Sequence, residues 1–204
     1  SIASGFQSIK TGDLKIVIAG GQECMSLAPH AIHLRDGKKL GDTEITDTMI
    51  KDGLWDAFHG YHMGVTAENV STKFQVTRED QDKFALKSHE KALKAQKENK
   101  FKEEIINFKI KSNKNEIDFN KDEHPREQIN LEALTRLKPV FKKDGTVTAG
   151  NASGINDGAA ATTLMSAEEA EKRKLQKLVS IKSWASCGVD PALMGTGPIP
   201  ASKK

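Results

Sequence analysis

Cysteine is scarce in this sequence: Cys24 and Cys187 are the only two in 204 residues, far apart and outside any CxxC pattern. That spacing argues against a disulfide framework and predicts buried free thiols in a reducing compartment. Long hydrophobic runs are missing as well, since none approaches the ~20 residues that a membrane-spanning helix requires. Nor is there a charge excess. Lys+Arg 31 against Asp+Glu 28 leaves +3, too little for a global field that would draw nucleic acid or an anionic membrane. GxxxxGK[ST], GxGxxG and GxSxG are absent, which removes the two common nucleotide-binding loops and the hydrolase elbow. The opening "SIASGFQSIKTGD" has no basic n-region and no apolar h-region, so it does not read as a signal peptide.

What remains is an ordinary globular balance, 37% hydrophobic and 29% charged, enough for one large domain or two modest ones. Ile2, Phe6 and Ile9 recur at helical spacing before Gly12, and "LKIVIAGG" (14–21) reads as a buried strand. A helix followed by a strand argues for an α/β layered architecture. Residues 27–60 show no period. Residues 77–101 predict a helix capped by Thr77 with Asp80 at the third position. Phe84, Ala85, Ser88, Ala92 and Ala95 would form its packing stripe. "EEIINFKI" and "NEIDF" predict a hairpin turning through Ser112-Asn113-Lys114-Asn115. "LEALTRL" reads as a short helix, 166–175 as a helix capped by Ser166, and 178–189 as a strand. The chain lacks an initiating Met, opens inside a helix and closes on what reads as a first helical turn in "PIPASKK". The expectation is a piece of a longer polypeptide.

His30/His33 and His59/His62 have the i, i+3 spacing that could chelate a metal on a helix. Neither pair falls in a predicted helix and no acidic ligand motif accompanies them, so no metal site is expected. Asn151-Ala152-Ser153 matches a glycosylation sequon, which carries no meaning without a secretory signal. The stretch "TVTAGNASGINDGAAAT" (146–162) stands out: it has no Lys or Glu and a single charge, Asp157. It can be a tight loop entering a close-packed strand, "GAAAT". Alternatively, its peptide N–H groups and small side chains leave room for a long, thin ligand against the backbone.

Several segments taken together resemble the thiolase family, particularly its short-chain, biosynthetic branch. They are "IVIAGGQECMSLAPH", "DTMIKDGLWDAFHGYHMGVTAENV", "TREDQDKFALKSH", "LKPVF", "TVTAGNASGINDGAAA" and "SWASCGVDPALMGTGPIPAS", in family order along essentially the whole chain. The resemblance implies a thiolase-type layered α/β core, partial here, with an inserted α+β loop domain. Residues 1–26 and 156–177 would belong to the N-terminal core, 27–155 to the loop domain, and 178–204 to the start of the C-terminal core. It also implies a transferase that condenses two acetyl-CoA to acetoacetyl-CoA, or runs the reverse thiolysis, through a cysteine thioester. Coenzyme A and acetyl-CoA would be substrates, with no permanently bound cofactor, in a cytoplasmic homotetramer without nucleic-acid or membrane partners. The family's catalytic Cys and His motifs are expected before residue 1 and beyond Lys204. Cys24 and Cys187 match non-catalytic positions, so this chain alone is expected to be inactive and unstable in isolation. Two alternatives stay open: a degradative 3-ketoacyl-CoA thiolase of broader chain length, and a non-catalytic CoA-binding or assembly module.

By the same resemblance Leu54, His62, Met63 and Met194 contact the acyl and pantetheine groups, and "YHMG" sets the His62 imidazole beside the thioester. Arg126 falls near the CoA phosphates, with Ala133 where the family more often has a polar contact. Phe141 would pack on the adenine or pantetheine side, and Ala149, Gly150 and Ser153 would wall the pantetheine arm. A bulky residue at Gly150 is then expected to block CoA while sparing the fold. Residues 27–50 match the family's tetramerisation loop.

Overall fold

The computed structural model describes residues 1–112 and 115–204. In chain order its regular elements are α1 (Ile2–Lys10), β1 (Ile16–Glu23), β2 (His30–Ile32), β3 (Ile45–Asp47), β4 (Trp55–Asp56), β5 (Tyr61–His62), α2 (Met63–Phe74), α3 (Arg78–Lys97), β6 (Phe108–Ser112), β7 (Asn115–Phe119), α4 (Leu131–Thr135), β8 (Gly158–Met165), α5 (Ala167–Lys172) and α6 (Pro198–Lys203). They group into two compact units, residues 1–61 with 155–204, and residues 62–154.

In the first unit β1 and β8 form an antiparallel ladder running from Ile16 opposite Met165 to Glu23 opposite Gly158. The predicted "GAAAT" strand is therefore the start of β8. Helix α1 lies close on one face, where a methyl group added to Gly5 would come within 3.0 Å of the Val17 and Leu164 side chains. The expectation of a buried β1 is corrected. Ala19 is buried, whereas Ile18, one residue away on the opposite face, is 76% exposed, because side chains alternate along a strand. Residues 27–60 hold the short β2–β3 ladder, with His30 opposite Asp47, and a π-helical turn at Met49–Leu54. The strand expected at 178–189 does not form. Its β-prone composition finds no hydrogen-bonding neighbour among the described residues, and Leu178 and Val179 lie exposed. The two thiols are also corrected: Cys24 and Cys187 are exposed, not packed. Helix α5 begins at the Ser166 cap, whose hydroxyl accepts from the Glu169 N–H.

The second unit is built on α2 and α3. Sequence reasoning missed α2 because its inward face is not apolar: Gly64, Thr66, Glu68 and Ser71 are its buried residues. Helix α3 carries the predicted Thr77–Asp80 capping box and ends at Lys97, short of Phe101. Phe84 leaves the expected stripe, being 77% exposed, while Asp82 is almost fully buried. Ser88 is exposed too, whereas Ala85, Ala92 and Ala95 are half-buried. The inward face runs instead through Asp82, Leu86, His89, Leu93 and Gln96, spaced as one face of a helix. Strands β6 and β7 pair as the predicted hairpin, with Phe108 opposite Phe119. Its turn residues Asn113 and Lys114 lie outside the described residues. Helix α4 starts where the Asn130 side chain accepts from the Ala133 N–H.

Candidate functional site

His62 stands at the N-cap of α2, where its Nδ1 accepts a hydrogen bond from the Gly64 N–H at 3.0 Å. A peptide N–H can only donate, so Nδ1 offers its lone pair and the neutral ring carries its proton on Nε2. The imidazole stacks on Phe141, ring centroids 4.6 Å apart and planes within 19°. Gly64 makes that position of Phe141 possible, since a methyl group there would lie 2.2 Å from Phe141 Cδ2. Two residues chosen from separate motifs, His62 and Phe141, thus form one surface, with Met63 half-buried at the first position of α2. The arrangement offers an apolar ring beside one fixed N–H donor, chemistry suited to orienting a polarised carbonyl.

The glycine-rich stretch is held by a buried polar network. The Glu68 carboxylate, 3% exposed, accepts from the N–H groups of Thr146 and Val147, each at 2.8 Å, and from the Thr146 hydroxyl at 2.9 Å. Asp82 accepts from Arg78 Nε at 2.8 Å and from Asn151 Nδ2 at 2.9 Å. Asn151 Oδ1 in turn accepts from the Thr148 N–H. Arg78 Nη2 donates to the carbonyls of Leu134 and Leu137, joining α3 to the end of α4. Buried carboxylates are tolerated only when paired and hydrogen-bonded, and these are. Sequence reasoning missed Glu68, Asp82, Arg78 and Asn151. Their only trace was acidic residues at inward helix positions, which become visible once the helix faces are known.

The small residues therefore serve two ends. Ala149 and Ser153 are exposed on the held loop, as a ligand wall requires. Gly150 faces the protein, because a methyl group there would come within 2.5 Å of both Leu134 Cδ2 and Leu137 Cδ1. The expectation that a bulky Gly150 variant spares the fold is corrected: it would collide with the buried Leu134 before any ligand.

Arg126 opens a turn before α4, its N–H donating to His89 Nδ1 at 3.2 Å. Leu54 ends the π-helical turn and Met194, 50% exposed, lies in a 3-10 turn at Pro191–Thr196; both belong to the first unit. Asp157, the one charge of the stretch, also belongs there. The Ser26 hydroxyl and then the Ser26 N–H hold its carboxyl below the ordinary range. Of the spaced histidines, His59 Nδ1 lies 2.8 Å from Asp56, and His30 lies 4.0 Å from Asp47. Among the described residues no three His, Cys, Asp or Glu side chains gather to hold a metal.

Residues 1–168 match the family described as "Thiolase, N-terminal domain". A curated protein from Rhizobium meliloti (strain 1021), named acetyl-CoA acetyltransferase, is 57% identical over 204 residues, covering 100% of this chain and 52% of that protein. The crystal structure of the Bacillus anthracis acetyl-CoA acetyltransferase superposes with a TM-score of 0.92 at 46% identity, covering 100% of this chain and 52% of that one. That of human mitochondrial 3-ketoacyl-CoA thiolase gives 0.93 at 40% identity, with the same coverage. The chain has the α/β fold of these structures, and it belongs to the thiolase family. It spans about half the length of the curated relatives it matches. No helix among the described residues is long and apolar enough to cross a membrane.

Proposed function

We propose that these residues form the CoA-holding part of an acetyl-CoA acetyltransferase. The observation that carries this reading is the 57% identity along the whole chain to a protein of that name. In the reaction, a cysteine thiolate outside this chain attacks the acetyl carbonyl of acetyl-CoA, and CoA leaves with a proton. A second acetyl-CoA, deprotonated at its α-carbon, then attacks the enzyme thioester to give acetoacetyl-CoA and free the cysteine. His62 and Met63 meet the acyl and pantetheine end, and the remaining His62 N–H takes the role of donor to the thioester oxygen. Ala149 and Ser153 wall the pantetheine arm, Phe141 packs against the CoA, and Arg126 takes its phosphates. CoA and acetyl-CoA come and go as substrates.

The domain assignment, residues 27–155 as an inserted loop domain between core segments 1–26 and 156–177, belongs to this reading. So does a homotetramer built through residues 27–50, a role supported by Leu27, Leu40 and Ile45, which are 80%, 93% and 66% exposed. Two unpaired thiols, Cys24 and Cys187, suit a reducing cytoplasm. The second reading, a degradative thiolase of broader chain range, has in its favour the 0.93 TM-score to the mitochondrial 3-ketoacyl-CoA thiolase. Chain-length dependence separates the two. In an enzyme of the relatives' full length carrying these residues, kcat/KM should fall steeply from acetoacetyl-CoA to 3-ketohexanoyl-CoA and longer thioesters. A flat profile would replace the short-chain assignment by the degradative one.

A further inference from the structure

The segment 120–127 carries two cations, Lys121 and Arg126. Lys121 Nζ is 2.7 Å from Glu127. Arg126 is different: among the described residues its guanidinium has no carboxylate within ion-pair range, whereas Arg78 and Arg136 of the same unit are paired with Asp82 and Glu132. An exposed guanidinium left free has the fork geometry that binds phosphate oxygens in pairs. A flexible stem would weaken that grip through lost rotamer freedom, so the position of its backbone matters.

That backbone is fastened to α3 at two places. Gln96 Nε2 donates to the Asp122 carbonyl at 3.0 Å, and His89, two turns earlier on the same inward face, accepts the Arg126 N–H at 3.2 Å. Between these ties the His124 ring stacks on His89, centroids 6.1 Å apart and planes within 17°. The His124 N–H donates to Asp122 Oδ1, closing a local turn, and Pro125 then restricts the backbone on either side of its own bond. The tie to His89 spans 37 residues of sequence. Of the two ties, it is the one made to the Arg126 main chain itself.

We propose that His89 is a positioning residue for Arg126, holding its main chain so that the free guanidinium meets the phosphates of a CoA thioester. This rests on the reading of Arg126 as a phosphate contact. His89 acts as a neutral acceptor at Nδ1, and the stacked His124 limits the rotation of its ring. The imidazole itself touches neither the thioester nor the phosphates.

The test compares acetoacetyl-CoA with acetoacetyl-pantetheine, which has the same reacting end and no phosphates, in an enzyme of the relatives' full length carrying these residues. His89→Ala should raise KM for the CoA thioester about tenfold, the scale of one charge-assisted contact, with kcat within about twofold and KM for the pantetheine thioester little changed. His89→Gln, whose amide oxygen can accept the same N–H, should recover most of the loss. Arg126→Ala should discriminate between the two substrates in the same way, and adding His89→Ala to it should cost little more. Equal losses on both substrates from His89→Ala, or no loss where Arg126→Ala shows one, would overturn the role of His89. Failure of Arg126→Ala to discriminate would instead remove the phosphate reading beneath it.

Discussion

A methyl group on Gly64 would penetrate the Phe141 ring, the partner of His62 in the stacked surface. Gly64→Ala should therefore cost about 1–3 kcal/mol by overpacking and raise KM for CoA thioesters, both checked by denaturant midpoints and steady-state kinetics on the full-length enzyme. Glu68→Leu removes the acceptor of the buried Val147 N–H and the part-buried Thr146 N–H. At about 1–3 kcal/mol for each unsatisfied donor, it should lower stability by about 3 kcal/mol or more, and Glu68→Gln by less. His62 and Phe141 were legible as separate motif residues, and their contact was not, since 79 positions of chain separate them. Glu68 and Asp82 were illegible for another reason. A buried carboxylate looks the same in sequence as the many solvated ones until its N–H partners are in place.

At the scale of elements, helices with local start signals were read well. The Thr77–Asp80 box is written within four residues, and it forms, each side chain answering the other's backbone N–H. Thr77→Ala should cost about 1 kcal/mol, measured by urea unfolding. The Thr77 hydroxyl, and then its N–H, hold the Asp80 carboxyl below the ordinary range. A carboxyl that titrates lower folded than unfolded stabilises the fold above its unfolded value, and that contribution is lost as pH falls through the folded one. The stability difference between the parent and Asp80→Asn should thus shrink on acidification below about pH 4, near the unperturbed carboxylate value. Strands were read less well than helices. Residues 178–189 have strand composition without strand structure, because a ladder needs a partner that no local pattern specifies. Helix α2 was missed for the converse reason, its buried stripe being polar.

For the molecule as a whole, the family was legible from motifs in order along the chain, and residues 1–168 match it directly. The two thiols bear on activity. Cys24 Sγ lies 3.9 Å from the Ser26 hydroxyl and also reaches the Asp157 carboxyl, and Cys187 Sγ lies 3.5 Å from the Gly188 carbonyl. None of these partners is an imidazole, the usual base that makes a thiol an acyl acceptor at neutral pH. The 204-residue chain by itself is expected to show no cleavage of acetoacetyl-CoA, followed through loss of its enolate absorbance; turnover by the purified chain would contradict this.

Sequence alone determined the family, the capped helix starts and the His62 and Phe141 motifs, because caps, motifs and turn residues act over a few positions. Only the tertiary structure decided that Gly64 faces the Phe141 ring and Gly150 a pair of leucines, and which carboxylates are buried. Those outcomes depend on close approach between segments distant in the chain, and the free energy of such contacts has no local signature.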